Sequence, residues 1–369
     1  MNPFTYGRVV STSSYCPRQR LEAALKSHLL SGQNNYIEGE RRTGKTSLIF
    51  ETIRTIKSRR IVYIDLLEVR STEDVHKRVL SGIVKAEARA SVLQSFLKKI
   101  SALRPTMTFD PVSGLPSLSL DAAVGLKPES IDGLFGLFSE REFRNSVVVI
   151  DEFQDLLNLP DARQVLAVMR SKIQFLKSVP FVFCGSIRGK IHTIFNDADS
   201  PFFKSALPLE VGTIDRAAFK AFIASKFAGA KISVSPSMVD RLLGLTHENP
   251  GDTQQLCSAI YNVTSPRDTV GEETVQQALR HIFAEECKGY ESHLARITGM
   301  QLRAIRTVAR IGGARILSAD FMTMSGIRHP STIKKALSRL EELKILFTAA
   351  GEYKFVNPFF AQWLVWKDY

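Results

Sequence analysis

The sequence predicts a three-layer α/β domain built on a parallel sheet, followed by a helical module and a winged helix-turn-helix. Three observations carry this reading. Strand-sized apolar runs alternate with segments of helical period up to about residue 212; beyond that the period is helical; and the last stretch reads as three short helices followed by two strand-like runs. The expected domains are 1–212, 213–293 and 294–369.

Residues 33–37 rise in hydrophobicity into GERRTGKTS, after which LIFETIRTI keeps a helical period, giving strand, glycine-bounded loop and helix. RIVYIDL, 60–66, reads as a second strand buried on both faces. Residues 74–103, rich in Lys, Ala, Leu and Val, read as helix, and 106–122 alternate about Pro-Val-Ser-Gly as a hairpin inserted near 105–122. A helical stretch at 128–143 precedes the third strand, SVVVID at 146–151; an amphipathic helix at 165–179 precedes the fourth, PFVFCG at 180–185. Helices between successive strands imply parallel order.

Helical periods follow at 214–228, 235–245, 252–263 and 272–290. Three more helices, at 300–311, 319–324 and 330–343, lead into strand-like runs at 345–348 and 353–356, the order of a winged helix. Phe355, Phe359, Phe360, Trp363 and Trp366 are spaced to close its core.

With 369 residues, 44% apolar and 23% charged, the chain has material for several cores, which excludes a disordered or low-complexity protein. No apolar run approaches the roughly 18 residues that cross a bilayer, and the opening MNPFTYGRVV has no leader pattern. The expectation is a cytoplasmic protein with no membrane partner. Cys16, Cys184, Cys257 and Cys287 have no CxxC spacing, so reduced thiols are expected rather than zinc or disulfides. A net charge of +12 and a pI near 9.6 favour attraction to polyanions.

GERRTGKT, 39–46, is a complete G-x-x-x-x-G-K-T between a predicted strand and a predicted helix. Its backbone N–H groups and the helix N-terminus suit phosphate, so Gly39, Glu40, Arg41, Arg42, Thr43, Gly44, Lys45, Thr46 and Ser47 are the candidate nucleotide-binding residues. Lys45 is positioned for the β- and γ-phosphates and the Thr46 hydroxyl for Mg²⁺. In VVVIDEFQDL, Asp151 fits the second magnesium carboxylate and Glu152 the base that polarises attacking water. Two carboxylates at the tip of a buried strand are costly unless something there uses them. Together the motifs indicate a P-loop NTPase. Ser186, after the fourth strand in PFVFCGSIRGKI, is the candidate sensor of the γ-phosphate, with Arg188 a nearby cation; a simple Gly-Ser turn explains that position equally well. An N/T-K-x-D guanine motif is missing from the sequence, so ATP is expected over GTP.

These segments, with the opening NPFTYGRVV, Arg18 in YCPRQRLE, SPFFKSALPLEV, ENPGDTQQL and the closing YKFVNPFFAQWL, resemble the archaeal-type ATPase family, a branch of the STAND and AAA+-related P-loop proteins. The resemblance implies an ATPase core, a helical lid and a C-terminal winged helix. It places Asn249, Pro250 and Gly251 at the start of a lid helix near the nucleotide, which adds Pro250 to the nucleotide-binding candidates. Where the family commonly has S-P-x-Y-G-R this chain has SPFFKS, so Ser205 replaces the arginine and leaves Lys204 or Arg188 as nearby cations.

Residues 299–369 hold eleven Lys/Arg against five Asp/Glu, half of the chain's net positive charge. Lys334, Lys335 and Arg339 lie on the polar side of the predicted recognition helix, opposite Ile333, Ala336, Leu337 and Leu340, and are the candidate DNA-binding residues. Two functions remain open. One is a Mg²⁺-dependent ATPase whose cycle moves the lid and a winged helix on double-stranded DNA. The other is a slowly hydrolysing nucleotide switch or scaffold whose winged helix binds a protein partner, with a homo-oligomer also open.

Overall fold

The computed structural model describes residues 2–10, 12–86, 105–109, 116–120, 127–185, 188–349 and 351–367. They form two compact units, Val9–Ile214, and Asp215–Tyr369 together with Met1–Arg8.

In the first unit, α1 (Gln19–Leu30) leads to β1 (Asn35–Glu38), α2 (Lys45–Arg54), β2 (Arg60–Asp65) and α3 (Thr72–Ala86). A hairpin of β3 (Pro105–Phe109) and β4 (Pro116–Leu120) follows, antiparallel with Met107 opposite Leu118. Then come α4 (Ser130–Gly136), β5 (Ser146–Asp151), α5 (Ala162–Ile173), β6 (Phe181–Gly185), α6 (Arg188–Asn196) and β7 (Leu207–Glu210). The main sheet runs β2-β5-β6-β1-β7, every pairing parallel.

Alternation along the central strands sorts side chains into two cores. Val147 and Val149 of β5, with Val182 and Cys184 of β6, pack with Leu25 and Leu29 of α1 and Leu48, Ile49 and Ile53 of α2. Val148 and Ile150 point the other way, into a larger core with Val75 and Val79 of α3, Phe135 of α4 and Met169 of α5. Sheet and two helical layers are thus each sealed by aliphatics worth about 1.5–3 kcal/mol apiece when fully buried. Phe153, Phe183, Phe195 and Phe202 interlock beneath the end of β5, with the Phe153 and Phe183 rings 4.6 Å apart.

The structure differs from the sequence reading in several places. The sheet has a fifth strand: β7 is only four residues long, and Leu209 is its one buried side chain. β2, at the edge of the sheet, is not fully buried on both faces: Val62 and Ile64 on one are buried, whereas Ile61 and Tyr63 on the other are half-buried. The stretch at 128–143 is α4 followed by two short 3₁₀ turns, Leu137–Ser139 and Arg141–Phe143. Residues 87–103 of the expected long helix, and the hairpin's turn, lie outside the described residues.

The second unit contains α7 (Arg216–Gly229), α8 (Pro236–Leu245), α9 (Pro250–Val263) and α10 (Glu272–Leu294). The N-terminal segment packs among them: Phe4 is buried against Phe227 at 4.7 Å, and the Asn2 side chain donates to Ser258 Oγ and Asn262 Oδ1. The winged helix follows as α11 (Gly299–Ile311), α12 (Ala319–Ser325), α13 (Pro330–Glu342), β8 (Leu346–Ala349), β9 (Glu352–Phe355) and α14 (Pro358–Trp366). Thr298 and Gln301 cap α11 reciprocally. Gly326, at φ +62°, ends α12 in the left-handed turn that a glycine accepts without steric cost. α14 packs on α10 through Trp363 and Tyr290, whose rings are 5.2 Å apart. The aromatic C-terminal segment is therefore a packing element, although Trp366 itself is half-exposed.

Candidate functional site

The loop between β1 and α2 is shaped by two glycines. A Cβ on Gly39 would stand 2.5 Å from the Val211 carbonyl oxygen. Gly44 takes φ +84° as the N-cap of α2, a conformation that a β-carbon disfavours. Arg42 is also left-handed, at φ +62°, and with Arg41 is exposed. Thr43 Oγ1 donates to the Glu40 carbonyl at 2.9 Å, and Ser47 Oγ accepts the Val10 N–H at 3.1 Å. Lys45 is buried, its Nζ donating to the carbonyls of Gly39 at 3.1 Å and Glu40 at 2.6 Å. Burial pushes its pKa down, while Cys184, Glu152 and Asp151 act in the opposite direction.

Asp151 closes β5 at the same place. Its Oδ2 accepts from Thr46 Oγ1, 105 residues earlier in the chain, and from the Tyr63 hydroxyl on β2, both at 2.9 Å; its Oδ1 accepts the Glu152 N–H at 3.0 Å. Burial, then the Asp151 charge, push the Tyr63 hydroxyl far above its ordinary value, so it stays a donor. The buried Cys184 thiol on β6 is raised by burial first and by Asp151 next, and it stays protonated. Glu152 takes the left-handed φ of +50°, and Gln154 donates to its Oε2 at 2.6 Å.

This donor set fits a magnesium nucleotide. A hydroxyl and a carboxylate oxygen, both hard ligands, touch beside a buried ammonium and the N-terminus of α2. Among the described residues no group of three His, Cys, Asp or Glu could hold a metal ion.

The P-loop and Asp151-Glu152 candidates are therefore brought together within one unit. Ser186 lies outside the described residues. Arg188 opens α6. Ser205 Oγ donates to the Phe202 carbonyl at 2.7 Å, and Lys204 Nζ lies 5.1 Å from the centre of the Phe203 ring. Pro250 is the first residue of α9 in the other unit, where Asn249 Oδ1 caps the helix by accepting from the N–H groups of Gly251 and Asp252. Sequence reasoning missed Tyr63 and Gln154. Tyr63 carries a polar tip within the apolar run 61–64, which is a signal, whereas Gln154 stands among the acidic residues of DEFQD and carries none.

Comparison with solved structures places the architecture. The fold is similar to that of a Walker-type ATPase of Pyrococcus abyssi, at a TM-score of 0.63 and 17% identity, over 96% of this chain and 97% of that one. It is also similar to the Orc1 protein of Aeropyrum pernix in complex with DNA, at a TM-score of 0.54 and 14% identity, over 97% of this chain and 94% of that one. Residues 288–366 match the family model described as a probable winged helix domain. No curated protein matches the chain at a significant level. The fold is that of a P-loop ATPase with a C-terminal winged helix.

On the winged helix of this P-loop fold, α13 buries Ile333, Ala336, Leu337 and Leu340 and exposes Lys334, Lys335, Ser338 and Arg339. Lys334 and Lys335 stand in solvent, whereas Arg339 Nη1 is paired with Glu342 Oε2 at 2.5 Å. An open groove between α11 and α13, lined by Met300, Gln301, Lys335 and Arg339, runs beside these cations. Among the described residues no helix is long and apolar enough to cross a membrane.

Proposed function

We propose that this chain binds ATP with Mg²⁺ at the β1–α2 loop and hydrolyses it. The contact between Thr46 and Asp151 carries the reading, because it joins the two candidate magnesium ligands beside Lys45 and Glu152. Gly39 to Ser47 cradle the phosphates, Lys45 leaves the loop carbonyls for the β- and γ-phosphates, and Thr46 and Asp151 hold the metal. Bound magnesium supplies charge neutralisation across the phosphates. Glu152 accepts a proton from the attacking water, and Ser186 senses the γ-phosphate. Pro250 belongs to the nucleotide-responsive lid helix, and nucleotide state moves the lid, 213–293, and the winged helix, 294–369. Duplex DNA is the partner of Lys334, Lys335 and Arg339, a reading supported by the basic face of α13 and by the solved Orc1 neighbour, which is bound to DNA. The four free cysteines fit the reducing cytoplasm.

A second reading, a slowly hydrolysing switch with a protein partner, is favoured by one observation: Ser205 stands where the resemblance has an arginine, and its hydroxyl is turned to Phe202. Steady-state ATP turnover with and without DNA separates the two. The first requires turnover that Lys45→Ala abolishes together with ATP affinity, and Glu152→Gln should bind ATP and fail to release it as ADP. Turnover by Glu152→Gln at the parental rate removes Glu152 as the base.

A further inference from the structure

Gln154 is 1% exposed in the 3₁₀ turn Phe153–Asn158 that follows Glu152. Its amide nitrogen donates to Glu152 Oε2 at 2.6 Å and to Asp155 Oδ1 at 3.2 Å. Both acceptors are carboxylate oxygens, so chemistry fixes which way the amide faces: a flip would set Oε1 against two anions. Asp155 is itself anchored, its Oδ2 accepting the Glu68 N–H at 2.8 Å from the loop after β2.

The other end of the amide is less comfortable. Gln154 Oε1 is buried and has no hydrogen-bond partner among the described residues. It faces the last residue of β6, where a Cβ on Gly185 would collide with it and would also stand 3.0 Å from Ile191 Cδ1. Only glycine at 185 leaves the amide its place. A glutamine kept only for packing would gain by exchanging this unmet acceptor for an apolar group of similar size. What the amide gains in return is its short bond to Glu152, whose backbone is already fixed in the left-handed region.

We propose that Gln154 is the positioning residue of Glu152: its amide holds the carboxylate in the orientation from which it accepts the proton of water, and Gly185 is glycine because that amide needs the space. This inference rests on the role given to Glu152 above, and it adds the device that aims it.

The test uses the full chain. Gln154→Ala should lower kcat about tenfold or more while the ATP dissociation constant, measured by calorimetry, stays within about twofold. Gly185→Ala, which displaces the same amide from the opposite side, should give the same split. In single-turnover assays Gln154→Ala should add almost nothing to Glu152→Gln, because a residue that acts through Glu152 has no second route. Parental turnover in Gln154→Ala overturns the proposal. So does a loss of ATP affinity in step with kcat, or a full additive loss on the Glu152→Gln background. If Gly185→Ala melts below the assay temperature, the two Gln154 measurements decide alone. Should Glu152→Gln itself turn over normally, the fault lies with the base assignment; should it be inactive while Gln154→Ala is normal, only the positioning role falls.

Discussion

Arg18 donates through Nη2 to the Thr43 carbonyl at 2.7 Å, linking the residue before α1 to the middle of the phosphate loop. Its Nη1 reaches the Gly212 carbonyl at 2.6 Å, so one guanidinium, 8% exposed, ties the loop to the segment that follows β7. Burial lowers its pKa, but guanidinium remains charged in proteins. Arg18→Ala leaves carbonyls without their donor and should cost about 1–3 kcal/mol of stability, read in denaturant unfolding. It should also weaken ATP roughly tenfold in calorimetry. Arg18→Lys should recover only part of both, since an ammonium does not reproduce the planar fork. Unchanged unfolding of Arg18→Ala would show that the strut is idle.

Tyr63 offers a cleaner probe of the metal. Tyr63→Phe keeps the ring that packs against Phe50, 5.5 Å between centroids, and removes one of the two hydroxyls on Asp151 Oδ2. ATP affinity in chelator should be unchanged, while the gain on adding Mg²⁺ should shrink about tenfold, the scale of removing an outer-shell partner. Nucleotide titrations across magnesium concentrations read this directly; an identical magnesium dependence in the variant would make Tyr63 a packing residue only.

Much of this architecture was legible because the signals are local. Glycines at 39 and 44 around Lys45, and four β-branched residues running into Asp151, are patterns that loop geometry and strand burial impose on neighbouring positions. β7 was missed because an edge strand with one buried residue needs almost no apolar signature. α1 escaped for a related reason: Leu25 and Leu29 are its only buried side chains, while its other apolar residues, Leu21, Ala23, Ala24 and Leu30, are partly or fully exposed among polar ones. Tyr63 depends on register: nothing at position 63 shows that parallel pairing of Asp65 with Asp151 brings its hydroxyl to a carboxylate; Gln154 depends instead on the local turn that folds its amide back onto Glu152 two residues earlier. Charge at 339 was visible, but its partner at 342 was counted only in the net balance.

His76 is expected to give the first unit a pH response. It is fully buried on α3, its Nδ1 donating to the Thr72 carbonyl at 2.8 Å and its Nε2 2.9 Å from Ser130 Oγ. Burial holds its pKa below the ordinary 6.5, with the Thr72 and Ser130 contacts and Glu73 opposing. A histidine depressed in the folded state takes up its proton more readily when unfolded, so its contribution is complete above about pH 6.5 and is lost as pH falls toward the folded value. Melting curves at about pH 7.5 and 5.5 should show a larger drop for the parent than for His76→Gln. Equal drops would assign the acid sensitivity to other groups.

The basic face of α13 is expected to bind duplex DNA through phosphates, with little sequence preference. Lysines beside small hydroxyls suit backbone contacts better than bidentate base reading, for which Arg, Asn or Gln would be expected. The three cations do not contribute alike. Lys334 and Lys335 are exposed, whereas Arg339 must leave Glu342. That pair is itself solvent-exposed, 55% and 59%, so breaking it costs no more than about 1 kcal/mol. Replacing Lys334 and Lys335 with Ala should flatten the dependence of log affinity on log salt by roughly 0.9 for each phosphate that is no longer neutralised. Arg339→Ala should do less, and Glu342→Gln should strengthen binding at low salt by freeing Arg339. These slopes are measured by fluorescence anisotropy on an arbitrary duplex across a salt series. If neither the parent nor Glu342→Gln binds at low salt, α13 does not read DNA, and the protein-partner reading of the winged helix takes its place.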